Sequence, residues 1–216
     1  MPSYIEQVSG HTGQVYDERK FRRRRGQIIA AAVQLFAEKG YHKTRVQDIA
    51  SRAGVSAGLI YQYVQDKETL LLLSILDVLD SYATELPLAV RGIEDPLERC
   101  RAAFSAYCKV VDERREATVL AYVSTISLPP KQRQLIKDAE RDTNKMIGGY
   151  IQDCIDQGLF RQVDCELATY QLVMYAHAWA LKHWQLKKRF DLETYVAQGL
   201  DLFLHSMTIP RYLTAP

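Results

Sequence analysis

Two groups of side chains in this 216-residue chain have the types and the spacing to do chemistry. The first is Arg19-Lys20-Phe21-Arg22-Arg23-Arg24-Arg25, where every residue but Phe21 is a cation. Such a run attracts phosphates and releases their condensed counterions, a chemistry suited to a polyanion. The second is Ser56-Ala57-Gly58-Leu59-Ile60-Tyr61-Gln62. Gln62 can donate to and accept from the N6 and N7 edge of adenine, Ala57 and Leu59 can touch thymine methyl groups, and Gly58 lets a backbone come close. Thr44, Arg45 and Lys67 stand at expected helix starts, where amide groups and the helix dipole favour an anion.

Catalytic chemistry finds no comparable footing. The chain has no Glu-x-x-His pair, no H-E-x-x-H and no phosphate-cradling glycine loop, so no enzyme is expected. Cys100, Cys108, Cys154 and Cys165 form no C-x-x-C pair and no histidines cluster, which argues for buried free thiols over a zinc site or a redox dithiol. No metal and no cofactor is expected. The net charge of +2 is uneven: residues 19–67 carry +8, leaving −6 on the rest. A basic segment on an acidic body favours nucleic acid over a membrane surface, with a solvated basic linker as the plainer reading. The longest stretches free of Asp, Glu, Lys and Arg, 117–130 and 168–181, have 14 residues each, short of the roughly 18 a membrane span needs. The start shows no secretory pattern, so the cytoplasm is the expected compartment.

The elements that must hold these groups are helical. Apolar residues make up 47%, and 11 glycines with 7 prolines are too few turn residues for a many-stranded β-protein. Residues 1–18 read as a flexible arm. Ile28, Ala32, Leu35 and Phe36 predict a helix over 25–39 that Gly40 stops. Thr44-x-x-Gln47 has the form of a capping box ahead of Val46, Ile49, Ala50 and Ala53. Ser56 can cap a short helix that buries Ile60 and Val64, turning Gly58 and Gln62 outward, and Asp66 can cap a fourth from 67 to about 86. Ala53-Gly54-Val55-Ser56 joins two helices too short to be stable alone, the signature of a helix-turn-helix. Further helices are expected at 96–112, 115–127, 130–157, 164–188 and 191–207.

The residues Leu35-Phe36-Ala37-Glu38-Lys39-Gly40-Tyr41, Thr44, Val46, Asp48-Ile49-Ala50, Ala53-Gly54-Val55-Ser56, Gly58, Tyr61, Lys67-Glu68 and Leu70 resemble, without gaps, the DNA-binding domain of the TetR family of bacterial transcriptional regulators. The resemblance implies an all-α fold: a three-helix DNA-binding domain with a helix-turn-helix over 19–70, then a larger helical ligand-binding and dimerisation domain over 71–216. It implies a homodimer on a palindromic operator, repression as the usual mode, and release by a small-molecule effector. It gives Tyr61 a phosphate contact, against a role as an aromatic brace, while Ser56 is either a DNA contact or a plain cap. Arg22, Arg23, Arg24 and Arg25 would follow a phosphate strand or enter a minor groove. Ala57, Leu59 and Val64 depart from the family's commoner lysine, threonine and phenylalanine, so base preference does not carry over.

In the body, Leu167, Tyr170, Met174, His177, Leu181 and Trp184 form one apolar stripe, and Leu172, Ala176, Trp179 and Ala180 a second. With the stripe Leu192, Val196, Gly199, Leu200, Phe203 and Met207 on the last helix they predict a dimeric four-helix seam. Phe104, Tyr107, Cys108, Tyr122, Thr125, Met146, Tyr150, Met174, His177 and Trp179 are candidates to line an effector cavity, although aromatics and methionine at helical spacing read first as core packing. An apolar cavity with few polar groups suits a hydrophobic or amphipathic effector. The C-terminal half faintly resembles family members that sense fatty acyl-CoA thioesters, with Arg99, Arg101, Arg133, Lys137 or Arg141 near phosphates. The alternative function is a helical interaction module whose basic arm binds RNA or acidic protein.

Overall fold

The computed structural model describes residues 3–8 and 18–209. Among them the chain is helical and has no named strand, only an isolated antiparallel bridge between Phe160 and Thr208. It divides into two compact units, residues 1–80 with 116–139, and residues 81–115 with 140–216. The division after Asp80 falls within a continuous helix, Lys67–Ala89.

The first unit opens with α1 (Tyr4–Val8), a short helix where the sequence suggested a flexible arm. The Asp80 carboxylate accepts from the amides of Tyr4 and Ile5 at 2.8 and 3.0 Å, and Ile5 is buried. Residues 9–17 of the expected arm lie outside the described residues. Helix α2 spans Glu18–Lys39 and so begins before the arginine run, which is helical and does not precede the helix as expected. Ile28, Ala32, Leu35 and Phe36 are buried along one face of α2. The helix stops at Gly40, whose φ of 81° suits a residue without a Cβ.

Helices α3 (Val46–Ala53) and α4 (Ala57–Ile60) are the helix-turn-helix pair. Gly54 adopts φ 65° and ψ 38°, and the Val55 amide reaches back to the Ala50 carbonyl at 3.0 Å, a Schellman closure that glycine makes without strain. Ile49, Ile60 and Val64 are buried, as is the run Leu70–Leu73 at the start of α5 (Lys67–Ala89). The unit is completed by most of α7 (Arg115–Ser124), a 3-10 turn at Thr125–Ser127, and the first ten residues of α8 (Pro130–Asp156).

The second unit holds the end of α5, α6 (Pro96–Glu113), the rest of α8, α9 (Cys165–Leu181), the short α10 (His183–Leu186) and α11 (Leu192–Met207). Asp95, Asp164 and Asp191 cap α6, α9 and α11, each accepting from the amide three residues on at 2.8–2.9 Å. Helix α6 packs mainly on α9 and α11. The expected 164–188 helix is broken at Lys182, and Pro87 lies inside the last turn of α5 without ending it at once. Gly158, at φ 69°, turns the chain after α8 so that buried Phe160 meets Thr208.

Candidate nucleic-acid interface and ligand-binding body

The Ser56 hydroxyl accepts from the Leu59 amide at 3.1 Å and so caps α4. Below the cap, buried Ile60 and Val64 fix which side of α4 faces inward. Ser56, Gly58, Tyr61 and Gln62 are then exposed, Tyr61 at 53%, while Ala57 and Leu59 are half-buried. A Cβ placed on Gly58 would meet nothing within 4 Å, so the surface there is open to an approaching backbone.

The cations divide into two groups. Arg19, Lys20, Arg22, Arg23 and Arg45 are exposed. Arg24 is half-buried and donates to the Gln27 amide oxygen at 3.1 Å. Arg25 is only 9% exposed and its guanidinium lies 5.9 Å over the Phe21 ring, so it does not belong with the phosphate contacts proposed from sequence. Arg52 is held by Glu38 in a two-pronged pair at 3.0 and 2.9 Å, and that bond keeps the Glu38 carboxyl below its ordinary range.

A further sequence expectation is corrected. The Thr44 side chain does not cap α3: it is 1% exposed and donates to the carbonyls of Gly40 and Leu35 at 2.9 and 3.2 Å. The residue at the cap position is Arg45, whose amide meets the Asp48 carboxylate at 3.4 Å. The Lys67 ammonium is likewise engaged within the protein. It donates to the carbonyls of Tyr41, Thr44 and His42 at 3.1, 3.3 and 3.5 Å and lies 4.4 Å over the Tyr41 ring. The Tyr41 hydroxyl donates to Glu68 at 3.0 Å, and burial with this carboxylate raises its pKa. Lys67 and Thr44 therefore lock the turn between α2 and α3, because buried carbonyls need donors.

Reading by residue type also missed a contact. The Phe21 ring stacks on Tyr63 with centroids 4.5 Å apart and planes 25° from parallel. The available signal was that Phe21 is the one uncharged residue in the cationic run.

In the second unit Phe104, Tyr107, Cys108 and Trp179 are buried, and burial pushes the Cys108 thiol up. The Tyr107 hydroxyl and His177 Nε2 lie 2.9 Å apart, and the Tyr82 ring stacks on Tyr107 at 4.1 Å. Burial pushes the His177 imidazole down to about 4, so it is neutral near pH 7. Trp179 Nε1 donates to Asp112 at 2.7 Å. Met146 and Tyr150 are half-buried on α8, whereas Met174 is 47% exposed on α9. Tyr122 and Thr125 belong to the other compact unit, where Tyr122 is exposed and the Thr125 hydroxyl donates to the Ala121 carbonyl.

A groove of about 410 Å³ runs between α8 and α9, lined in part by Arg141, Lys145, Gly148, Thr169 and Tyr170, and by none of the residues expected to line a cavity. Of the cations proposed for phosphates, Arg99 is paired with Asp153 at 3.3 Å, Arg101 with Glu98 at 3.4 Å, and Arg133 donates to the Ile126 carbonyl at 3.2 Å. Lys137 and Arg141 are exposed. Cys100, Cys108 and Cys154 are buried free thiols, and Cys165 donates to the Gly148 carbonyl at 3.2 Å.

The apolar stripes also divide. Leu167, Tyr170, Met174 and Trp184 face outward from α9 and α10, and Leu172, Ala176, Trp179 and Ala180 face inward. On α11 the stripe expected at a seam is mainly the inward face: Val196, Gly199, Leu200 and Met207 are buried, with Leu192 and Phe203 partly so. Its outward face carries Gln198, Asp201, Leu202 and His205. No helix among the described residues is long and apolar enough to cross a membrane.

Comparison with known proteins places these features. Residues 28–73 match the model of the bacterial regulatory proteins of the tetR family, and residues 94–184 match that of a tetracyclin repressor-like C-terminal domain. The chain is 48% identical over 201 residues to the HTH-type transcriptional regulator HbdR of Aromatoleum sp. (strain CIB), covering 93% of this chain and 88% of the relative. It is 30% identical over 142 residues to the HTH-type transcriptional repressor KstR2 of Mycobacterium tuberculosis, covering 64% and 70%. A solved structure of AibR in complex with isovaleryl coenzyme A and operator DNA superposes with a TM-score of 0.71 at 21% identity, covering 83% of this chain and 97% of the other.

Proposed function

Because the chain belongs to the tetR family of bacterial transcriptional regulators, we propose that it binds a palindromic operator as a homodimer and is released by a small amphipathic effector. The observation that carries the reading is the capped recognition turn, which holds Gly58, Tyr61 and Gln62 outward, with Arg45 exposed at the start of α3. The face with Gly58 and Gln62 enters the major groove. Gln62 reads adenine, Leu59 and Ala57 meet thymine methyls, and Tyr61, Arg45, Arg22, Arg23 and Arg24 meet phosphates. Repression in the cytoplasm is the mode we favour, supported by the repressor among its relatives.

The outward stripe Leu167, Tyr170 and Met174, uncovered in the single chain, supports a seam built around α9. Two recognition helices one DNA turn apart, about 34–36 Å, would read the two halves of a palindrome. An acyl-CoA thioester is the effector class we favour, on the strength of the coenzyme A ligand named for AibR. Such a ligand releases DNA in proportion to its preference for a spacing of the two recognition helices that mismatches the operator.

Selection of bound duplexes from a random pool, repeated with Gln62→Ala at matched salt, tests the operator reading. An enriched palindrome whose adenine preference relaxes in the variant supports it. Salt-sensitive binding with no enriched sequence would overturn it in favour of a basic module for RNA or acidic protein. For the effector, loss of the duplex complex on adding acyl-CoA thioesters of graded chain length is expected, and a complex indifferent to all of them rules this class out.

A further inference from the structure

The arginine run is helical although its sequence opposes that. Five cations lie between residues 19 and 24, within the first two turns of α2, where the positive end of the helix dipole repels them. What lies against this segment is Phe21. Its ring is stacked on Tyr63, and Arg25 and Ile28 follow on the same face, four and seven residues on, and are buried. The other sides of the same turns carry Arg19, Lys20, Arg22 and Arg23, all exposed.

Tyr63 is the residue after Gln62, in the turn that continues α4; its amide donates to the Ile60 carbonyl at 2.8 Å. Phe21 is the residue before Arg22. The ring stack therefore joins the immediate neighbour of the base-facing amide to the immediate neighbour of the exposed arginines. A loose basic arm would adjust its cations to any phosphate within reach, whereas a helix pinned at this point offers them in one register relative to Gln62.

We propose that Phe21 is a positioning residue for DNA binding: through its stack on Tyr63 it holds the first turns of α2 beside the recognition element, so that Arg22 and Arg23 meet phosphates flanking the bases Gln62 faces. The proposal rests on the operator-binding reading above. Phe21 itself touches no DNA. Its effect is the number of phosphates neutralised, which the dependence of affinity on salt reports at about 0.9 in the log–log slope for each contact.

The test is fluorescence anisotropy of the full-length protein on its selected duplex over a range of salt. Arg22→Ala/Arg23→Ala should lower the slope by about 1.8, two contacts' worth. Phe21→Ala should lower it by a similar amount, and Phe21→Tyr, which keeps the ring, should restore it. A merely structural loss would weaken binding equally at every salt concentration and leave the slope alone. Phe21→Leu, which keeps apolar bulk without a ring to stack, stands in if the alanine variant does not fold. Wild-type binding with the slope unchanged in the double arginine variant, or unchanged in the folded Phe21 variant, overturns the proposal alone. A wild-type protein that binds no duplex overturns the operator reading beneath it.

Discussion

Tyr175 and Tyr195 exchange hydrogen bonds: the hydroxyl of each donates to the backbone carbonyl of the other, at 2.6 and 2.7 Å, with the rings stacked at 4.5 Å. The exchange ties α9 to α11 where a side chain on α11 would be in the way. Gly199 leaves that space, since a Cβ there would sit 2.0 Å from the Tyr175 ring.

Gly199→Ala should therefore destabilise the protein despite the gain of about 1 kcal/mol that alanine brings to a helix interior. The Tyr175 ring must leave, losing its hydroxyl's bond to the Tyr195 carbonyl at about 1 kcal/mol and its stack on Tyr195, and adding the strain of overpacking, about 1–3 kcal/mol. A lowered urea midpoint for Gly199→Ala is expected, and Tyr175→Ala/Gly199→Ala should cost less than the sum of the two single changes. An unaltered midpoint for Gly199→Ala would show that the ring is not held.

His177 sets a pH dependence. Its folded pKa of about 4 lies below the ordinary 6.5, so the unfolded chain takes up the proton first as pH falls. The stability that neutral His177 contributes is whole above 6.5 and is lost as pH falls toward 4, to a total of roughly 3 kcal/mol. The measurement is the urea midpoint at pH 7, 5.5 and 4.5. His177→Leu should be less stable at pH 7, because Tyr107 loses a partner, yet lose less between 7 and 4.5 than the wild type. Parallel losses in the two proteins would count against the assignment.

Lys67→Met separates a structural lysine from a phosphate contact. Three carbonyls at the turn between α2 and α3 lose their shared donor, so the first unit should be destabilised by about 1–3 kcal/mol. Operator affinity should fall with the turn, but the salt slope should stay as it is. A slope lower by about 0.9 would mean that Lys67 also meets a phosphate.

Tyr170→Asp/Met174→Asp places two like charges on the exposed stripe of α9. If that stripe is the seam, sedimentation should show a monomer where the wild type is a dimer, with weaker binding to a full palindrome and little change at a half-site. A dimer that survives the change would move the seam elsewhere.

Much of the candidate interface was legible because its causes are local. Gly40 and Gly54 end helices through their own φ, Ser56 caps through an amide three residues away, and Ile60 and Val64 share a face by helical spacing alone. The same reading made Thr44 a helix cap. Thr44 and Lys67 both stand near helix starts, and residue type does not show that carbonyls of the preceding turn take their donors. In the body it found the helices and the buried aromatics, but it gave the seam to the inward stripe of α11, since an apolar stripe facing a core and one facing a partner have the same period.

By itself the sequence determined the helical class, the helix-turn-helix and the family, because each rests on contacts between residues a few positions apart. Tertiary structure alone decided which arginines stay outside, where the α9 stripe points and why Gly199 has no side chain. Those outcomes depend on residues distant along the chain: Tyr63 under Phe21, and Tyr175 over Gly199. The arginine run shows the difference most directly. Its own charges work against a helix, and a stack formed across 42 positions of sequence accompanies the helix that the structure contains.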